Sequence, residues 1–355
     1  MSPQEHGERV REIHLPQIEH PISVEQVTHC FGGKRMKAIV YTKYGPPEVL
    51  QLNEVTQPTP RDDEVLIKVK AVSVNRSDWE GLRGKPLYAR IGGLLRPRHQ
   101  ILGSDIAGRV EMAGRNVRRF RPGDEVFGDI LGRLGGFAEY VCAPENRLAA
   151  KPASMTFEEA AAIPQAAVIA LQGIRDKGQV QPGQKVLING AGGGAGAVAV
   201  QLAKIYGAEV TGVDNTGKLD FMRSLGADHV IDYTQEDFTT NGEQYDLILD
   251  IVAHRSVFAY KRALRSNGSY FLAGGSVATM LQILLLGPWI RATTGKKIRI
   301  LAVKPSLKDM VYVTGLYEAG KLTPVIDKTY SLKEVPEAIG YVGDGHAQGK
   351  VVITM

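Results

Sequence analysis

The spacing of apolar residues changes about halfway along the chain. Up to Thr156 it follows short strands separated by glycine and proline turns, of which the alternating stretch Glu64–Val74 is the longest. Beyond Thr156, buried strands alternate with helix formers, which requires crossover connections between parallel strands. The pattern therefore predicts an α/β protein in which a doubly wound parallel sheet follows a partly open β-barrel.

The most specific motif is a glycine-rich loop between a strand and a helix. The strand is predicted at Lys185–Asn189, the loop Gly190–Gly196 holds five glycines, and helix formers follow over Ala195–Tyr206. Glycines are required because the turn is tight and because a Cβ would keep the backbone away from a pyrophosphate. A second strand, Ala208–Val213, precedes the acidic residue Asp214, as in dinucleotide-binding units. We assign the pyrophosphate contact to Gly190, Gly193, Gly194, Ala195 and Gly196.

The same periodicities place the other elements. Strands are predicted at Met36–Tyr41, His229–Tyr233, Tyr245–Ile251, Ser269–Ala273, Ile298–Val303, Lys328–Leu332 and Lys350–Thr354, and helices at Lys218–Leu225, Val257–Leu264, Leu307–Glu318 and Val335–Val342. The apolar stretch Met280–Ile290 is too short for a membrane span, which takes about 20 residues. The stretch is interrupted by Gly287 and Pro288, and we expect a buried or dimer-facing helix there, with a membrane-facing surface as the alternative.

Composition narrows the class of protein. The 43 basic and 38 acidic residues give a net charge of +5 without a dense basic run, so charge provides no strong case for a nucleic-acid partner. Cys30 and Cys142 are the only cysteines, which favours a reducing, cytoplasmic location. Residues 1–35 contain five glutamates and no apolar signal core, and we interpret them as a polar N-terminal extension.

Several motifs together carry a resemblance to a known family. They include MKAIVYTKYGPPEVLQL, LGSDIAGRVE, RPGDEVFG, GGFAEYV, NGAGGGAG, SLGADHVIDY and HAQGKVVIT. From Met36 to Met355 the chain resembles the medium-chain dehydrogenase/reductase superfamily and, within it, the zinc-independent quinone oxidoreductase group. The resemblance implies a GroES-like substrate domain over 36–160 with 303–355, a Rossmann dinucleotide-binding domain over 161–302, and a homodimer.

The resemblance also bears on metal chemistry. The alcohol dehydrogenase branch holds its catalytic zinc with a cysteine and a histidine at positions where this chain has Asn75 and Ser104. It also holds a structural zinc with a four-cysteine lobe, and a chain with two cysteines has no such lobe. We therefore expect no zinc, and a reaction whose developing charge spreads onto oxygen: hydride transfer from NAD(P)H to a quinone or an α,β-unsaturated carbonyl.

Catalytic residues are expected in the loop that contains VNRSD. By resemblance, Asn75 lies beside the nicotinamide and the substrate, and Asp78 belongs to the same motif. The alternative is that either residue only caps the following turn. Where many relatives have a threonine near the nicotinamide, the aligned stretch places Ile169.

The residues expected to determine cofactor specificity give conflicting predictions. Asp214 would bind both ribose hydroxyls and repel a 2′-phosphate, which favours NADH. Relatives more often use NADPH, with a lysine and a tyrosine near that phosphate, where this chain has Lys218 and Tyr233. Both forms of the cofactor, written NAD(P)H, stay open. Two further glycines at a strand end complete the expected cofactor site: Gly274 and Gly275.

Two other functions remain open at this point. An enoyl-thioester reductase would need basic residues for a phosphorylated arm, and Arg90, Arg96 and Arg98 are candidates. A protein of another class would bind the dinucleotide without turnover and act as a sensor, scaffold or RNA-binding protein. The glycine loop alone does not distinguish these two functions from a reductase that acts on small quinones or enones.

Overall fold

The computed structural model describes residues 33–91 and 93–355. Of the predicted N-terminal extension, 1–35, all but the last three residues lie outside the described residues. The described strands are β1 Arg35–Val40, β2 Gln51–Thr56, β3 Glu64–Val74, β4 Asp105–Ala113, β5 Glu125–Asp129, β6 Tyr140–Pro144, β7 Leu148–Ala150, β8 Lys185–Asn189, β9 Glu209–Asp214, β10 His229–Asp232, β11 Tyr245–Asp250, β12 Leu264–Leu272, β13 Lys297–Ile300, β14 Ile326–Ser331 and β15 Lys350–Thr354. The α-helices are α1 Arg76–Arg83, α2 Phe157–Ala162, α3 Pro164–Leu171, α4 Gly194–Ile205, α5 Leu219–Ser224, α6 Val257–Ala263, α7 Val277–Thr294, α8 Leu307–Glu318 and α9 Val335–Gly343.

Strand β3 is the centre of the barrel-like sheet. It pairs antiparallel with β4, β6 and β15, and the sheet order is β14-β15-β3-β4-β5-β7. Nine of its eleven residues are buried, because neighbouring strands and helices cover both of its faces. The C-terminal strand β15 thus returns to the N-terminal half of the chain, which brings residues from both ends into one sheet.

The second large sheet is parallel throughout. Its strand order is β10-β9-β8-β11-β12-β13, so the direction of winding reverses between β8 and β11. A crevice forms at the carboxyl ends of the strands at such a switch point, and ligands of doubly wound sheets bind there. The predicted α/β class with a doubly wound parallel sheet is confirmed.

The apolar core is continuous between the two sheets. Helix α2 packs against β3, β4 and β15, and α3, which follows α2 directly, packs against α4 beside the parallel sheet. One buried cluster accordingly contains Phe127 and Val352 from the barrel together with Val186 and Val200 from the dinucleotide-binding unit. This packing fixes the position of the glycine loop relative to the end of β3.

Local predictions agree with the structure at most elements, but β12 begins at Leu264, five residues before the predicted strand Ser269–Ala273. Strands β3, β8 and β15 and helix α8 have the predicted bounds. The stretch Met280–Ile290, expected to be a buried or dimer-facing helix, lies inside helix α7, which continues through Gly287 and Pro288. Gly287 lets the helix approach β13, because a Cβ there would lie 2.7 Å from the carbonyl oxygen of Ile298, and Pro288 is on the exposed side. No helix in the described part of the chain is long and apolar enough to cross a membrane.

Candidate active site

The glycine loop lies at the switch point of the parallel sheet. It leaves β8 at Asn189 and enters α4 at Gly194. Gly190 has a φ of +85°, and a Cβ on Gly196 would lie 2.0 Å from the carbonyl oxygen of Gly190. A Cβ on Gly193 would meet only that same oxygen, at 3.5 Å, so the loop presents open backbone there. Backbone N–H groups at the start of a helix bind anions, and the loop therefore fits a pyrophosphate.

Asp214 is already bonded to this loop. Its Oδ2 accepts from the main-chain N–H of Gly192 at 3.0 Å, and its Oδ1 accepts from the N–H of Asn215 at 2.9 Å. The ammonium of Lys218 lies 3.6 Å from Oδ1, and both side chains are buried. The carboxylate therefore stabilises the loop, and Lys218 balances its charge.

The remaining predicted cofactor residues lie along the same edge of the parallel sheet. The main-chain N–H of Tyr233 donates to the carbonyl of Asp214 at 3.1 Å, which leaves its half-exposed ring beside the end of β9. Gly274 accepts from the N–H of Ala253 at 2.9 Å, and a Cβ on Gly275 would lie 2.2 Å from the Ala253 carbonyl. These glycines let the loops after β11 and β12 approach each other closely.

Asp78 has a structural environment. Its Oδ2 accepts from the main-chain N–H of Asn75 at 2.8 Å, and its Oδ1 accepts from the N–H of Gly103 at 2.9 Å. Burial raises the pKa of the Asp78 carboxyl to about 6, and the two N–H donors limit that rise. The carboxylate joins the start of α1 to the segment before β4, which agrees with the capping alternative for this residue.

Asn75 contacts a residue that the sequence did not single out. The ammonium of Lys350 donates to Asn75 Oδ1 at 2.6 Å, and it lies 3.4 Å from Asp105 Oδ2. Lys350 is 4% exposed and Asp105 is fully buried. In the register of β15 and β3, Val351 lies opposite Val74, so Lys350 lies beside Asn75. A single lysine at the start of an apolar strand was the only indication in the sequence.

Other polar groups complete this buried cluster. Asp105 accepts from the main-chain N–H of Gln165 at 3.2 Å, and the side-chain amide of Gln165 donates to Ser104 Oγ at 2.7 Å. Asn75 Nδ2 is 3.5 Å from the same Oγ, a contact too long to satisfy the donor fully. Burial raises the pKa of Asp105, while the Lys350 ammonium acts in the opposite direction. The Nδ2 donor of Asn75 therefore makes only a long hydrogen bond to Ser104 Oγ.

Lys350 also contacts the glycine loop. A Cβ on Gly194 would lie 2.6 Å from Lys350 Cδ, so the lysine stem lies against the first turn of α4. The preceding residue, Gly349, donates its N–H to the carbonyl of Gly192 at 2.9 Å. One side chain thus links the predicted catalytic amide to the predicted pyrophosphate cradle.

A second buried carboxylate adjoins the cluster. Asp129 lies opposite Asp105 in the pairing of β5 with β4. Burial raises its pKa to about 7, and the nearby Asp105 carboxylate contributes to the rise.

Among the described residues, no group of three or more His, Cys, Asp or Glu side chains is arranged to hold a metal ion. Asn75 Nδ2 and Ser104 Oγ, at the two positions that align with zinc ligands of the alcohol dehydrogenase branch, lie 3.5 Å apart.

Comparison with protein families identifies the two parts of the chain separately. The model of the alcohol dehydrogenase GroES-like domain matches residues 61–153. The model described as zinc-binding dehydrogenase matches residues 225–353.

Individual relatives match almost the whole chain. A 2-methylene-furan-3-one reductase from Solanum lycopersicum is 34% identical over 90% of this chain and 79% of its own length. A chloroplastic quinone-oxidoreductase homolog from Spinacia oleracea is 34% identical over 91% of this chain and 99% of its own length.

Solved structures agree with these relatives. The quinone oxidoreductase from Coxiella burnetii superposes with a TM-score of 0.83 at 29% identity, covering 91% of this chain and all of that one. The Escherichia coli quinone oxidoreductase complexed with NADPH gives a TM-score of 0.78 at 25% identity, covering 90% of this chain and all of that one.

Proposed function

The chain belongs to the medium-chain dehydrogenase/reductase superfamily, in its zinc-independent quinone oxidoreductase group, and we propose that it reduces quinones or α,β-unsaturated carbonyls with NAD(P)H. The observation that carries the proposal is the contact of Lys350 with both Asn75 and the glycine loop. It supports a site in which the acceptor is held next to the cofactor. The cofactor, when bound, supplies the hydride.

Asn75 and Lys350 have distinct parts in the proposed chemistry. Because the ammonium occupies Asn75 Oδ1, the amide faces a ligand through its Nδ2 donor. A donor fixed in this way stabilises negative charge that develops on a carbonyl or quinone oxygen. The buried positive charge of Lys350 acts in the same direction, since electrostatic interactions are stronger away from water. Asp78 acts indirectly, by holding the backbone of Asn75.

The choice between the two nicotinamides is the finer part of the proposal. We propose that the protein uses both. The ion pair of Asp214 with Lys218 offsets the repulsion that an isolated carboxylate would exert on a 2′-phosphate. The Escherichia coli structure contains NADPH, which supports acceptance of the phosphorylated form. The Asp214 carboxylate nevertheless lies next to the loop and supports binding of NADH.

The enoyl-thioester alternative receives less support. Arg90, one of its three candidate arginines, donates through Nε to the carbonyl of Gly84 at 2.9 Å and stacks over the ring of Tyr44 at 4.8 Å. These contacts use the side chain for packing of the loop after α1. A cytoplasmic location and a homodimer also remain proposals, testable by fractionation and by analytical ultracentrifugation of the full chain.

A direct assay distinguishes the candidate functions. Oxidation of NADH and of NADPH is followed spectrophotometrically with a small quinone, an enone and an enoyl-CoA. We expect turnover with the quinone or the enone, and with both nicotinamides. Stoichiometric cofactor binding without oxidation by any acceptor would contradict the proposal and favour a non-catalytic dinucleotide-binding protein, whereas turnover confined to enoyl-CoA would favour the thioester reductase.

A further inference from the structure

Helix α7 carries an apolar face that the rest of the described chain leaves uncovered. Four large side chains are 51%, 58%, 77% and 53% exposed and form what we call the apolar stripe: Leu281, Leu284, Leu285 and Trp289. Their spacing places them on one side of the helix. The opposite side is buried through Thr279, Ile283, Gly287 and Ile290. A contiguous exposed patch of this kind, unlike scattered single residues, indicates an interaction surface.

The chain around α7 contains basic residues and no acidic ones. From Ile251 to Lys308 there are ten of the 43 lysines and arginines and none of the 38 aspartates and glutamates. Arg291, Lys297 and Arg299 are exposed, and none of them takes part in an ion pair in the described part of the chain. Two of the ten basic residues, Arg255 and Arg265, are paired with Asp237 and Asp246 from outside this stretch.

The positive charges border the apolar stripe. Arg291 follows Leu284 by seven residues, which places it on the same side of α7. The ammonium of Lys261 lies 5.8 Å from the ring centroid of Trp289. Strand β13 packs against α7 through Ile298, which shares a buried cluster with Ile283 and Ile290. Lys297 and Arg299 alternate with Ile298 and therefore lie on the opposite face of the sheet. Arg291 and Lys261 are thus the cationic groups that form one surface with the apolar stripe.

We propose that this surface binds an anionic lipid bilayer, with α7 lying in the plane of the interface. The apolar stripe would enter the boundary between headgroups and acyl chains, and the basic residues would contact anionic headgroups. This inference concerns location and does not depend on the proposed reaction.

The charge distribution argues against two other occupants. A second copy of the chain on the same surface would bring two regions of like charge together, since residues 251–308 contain no carboxylate. A nucleic acid would contact the basic residues, but its bases stack on aromatic side chains. Only one of the four residues of the apolar stripe, Trp289, is aromatic, and a nucleic acid would leave the three leucines unused. An anionic lipid surface uses both the positive charge and the leucines.

Co-sedimentation of the full-length protein with vesicles tests the proposal. Vesicles of phosphatidylglycerol and phosphatidylcholine in equal parts should pellet the protein at low salt, and pure phosphatidylcholine should pellet much less. The double variant with Leu284→Gln and Leu285→Gln should bind at least about tenfold more weakly than the wild type. Arg291→Gln should weaken binding about fivefold. Control variants of an exposed leucine and an exposed lysine elsewhere, Leu52→Gln and Lys333→Gln, should bind like the wild type.

Specific results would overturn the proposal. The first is a wild-type protein that stays in the supernatant with anionic vesicles. The second is a stripe variant that pellets like its controls. A dimer that becomes monomeric only in the stripe variant, with no vesicle binding, would show that a second copy covers the surface. Binding of single-stranded RNA without vesicle binding, lost in Arg291→Gln, would assign the surface to nucleic acid. Thermal unfolding of each variant verifies that it is folded.

Discussion

Replacement of Lys350 by methionine tests the link between the amide and the cofactor loop. Methionine keeps much of the stem that lies against Gly194 but removes the ammonium that contacts Asn75 Oδ1 and Asp105 Oδ2. The substitution therefore separates packing from charge at one position. It leaves Asp105, which is fully buried, without its cation.

The structure gives the expected magnitude. Removal of one partner from a buried ion pair costs about 3–5 kcal/mol of unfolding free energy. Asp105 retains the N–H of Gln165 at 3.2 Å and the hydroxyl of Ser73 at 3.4 Å, so we expect about 3 kcal/mol at neutral pH. Loss of the amide's orientation should lower kcat by about tenfold to a hundredfold.

The pH dependence has a definite sign. Burial already raises the pKa of Asp105, and without Lys350 it rises further. A carboxyl with a higher pKa in the folded state binds a proton on folding, so stability falls as the pH rises. The stability deficit of Lys350→Met relative to the wild type should therefore shrink as the pH is lowered. Urea unfolding over a series of pH values measures it.

Two comparisons separate a positioning role from a merely structural one. Adding Asp105→Asn to Lys350→Met removes both charges and should restore most of the stability, while kcat stays low because Asn75 still lacks its donor. Lys70→Met, at an exposed lysine of strand β3, should change stability by less than about 0.5 kcal/mol. If Lys350→Met lost stability but kept kcat within about threefold, Lys350 would only support the fold, and our reasoning about Asn75 would be refuted.

Four further predictions follow from the same geometry. Asn75→Ala removes the Nδ2 donor and should lower kcat about a hundredfold with a smaller change in cofactor KM, and an unchanged kcat would exclude Asn75 from the chemistry. Asp214→Ser should raise the ratio of kcat/KM for NADPH to that for NADH, since loss of the bond to the loop affects both cofactors and only the charge affects their ratio; a constant ratio would contradict this role. Asp78→Asn leaves one acceptor oxygen where the carboxylate has two and should cost about 1–3 kcal/mol in urea unfolding, and a neutral effect would argue against its two backbone bonds. Asp129, with a pKa raised to about 7, binds a proton on folding, so the wild-type protein should lose at most about 1.4 kcal/mol of unfolding free energy per pH unit as the pH rises from ~4 to ~7. Asp129→Asn should abolish this contribution, and an unaltered pH profile would speak against that pKa.

Local features of the sequence were sufficient for most elements and for the type of ligand. The glycine loop was identified because its constraints are local: a turn between a strand and a helix excludes Cβ atoms. The bounds of β3, β8, β15 and α8 followed from their apolar periodicity in the same way. The sequence also showed that Asn75 and Ser104 are not residue types that usually hold zinc, although the importance of these two positions came from the resemblance to a family.

Tertiary structure decided which residues meet. Asn75 and Lys350 are 275 positions apart and are joined only by the register of β15 with β3, which no local pattern encodes. Asp78 accepts from the main-chain N–H of Gly103 because the segment before β4 lies against it, a contact that no local pattern indicates.

The exposed side of α7 depends in the same way on packing. Its sequence is apolar around most of the helix, and the sequence alone therefore suggested a buried or dimer-facing helix, with a membrane-facing surface as the alternative. Only the placement of β13 and α6 shows which side is covered. The sequence by itself determined the elements and the class of cofactor, because periodicity and glycine conformation act over a few residues. The folded chain determined the catalytic cluster and the uncovered face, because burial and charge pairing depend on neighbours distant in sequence.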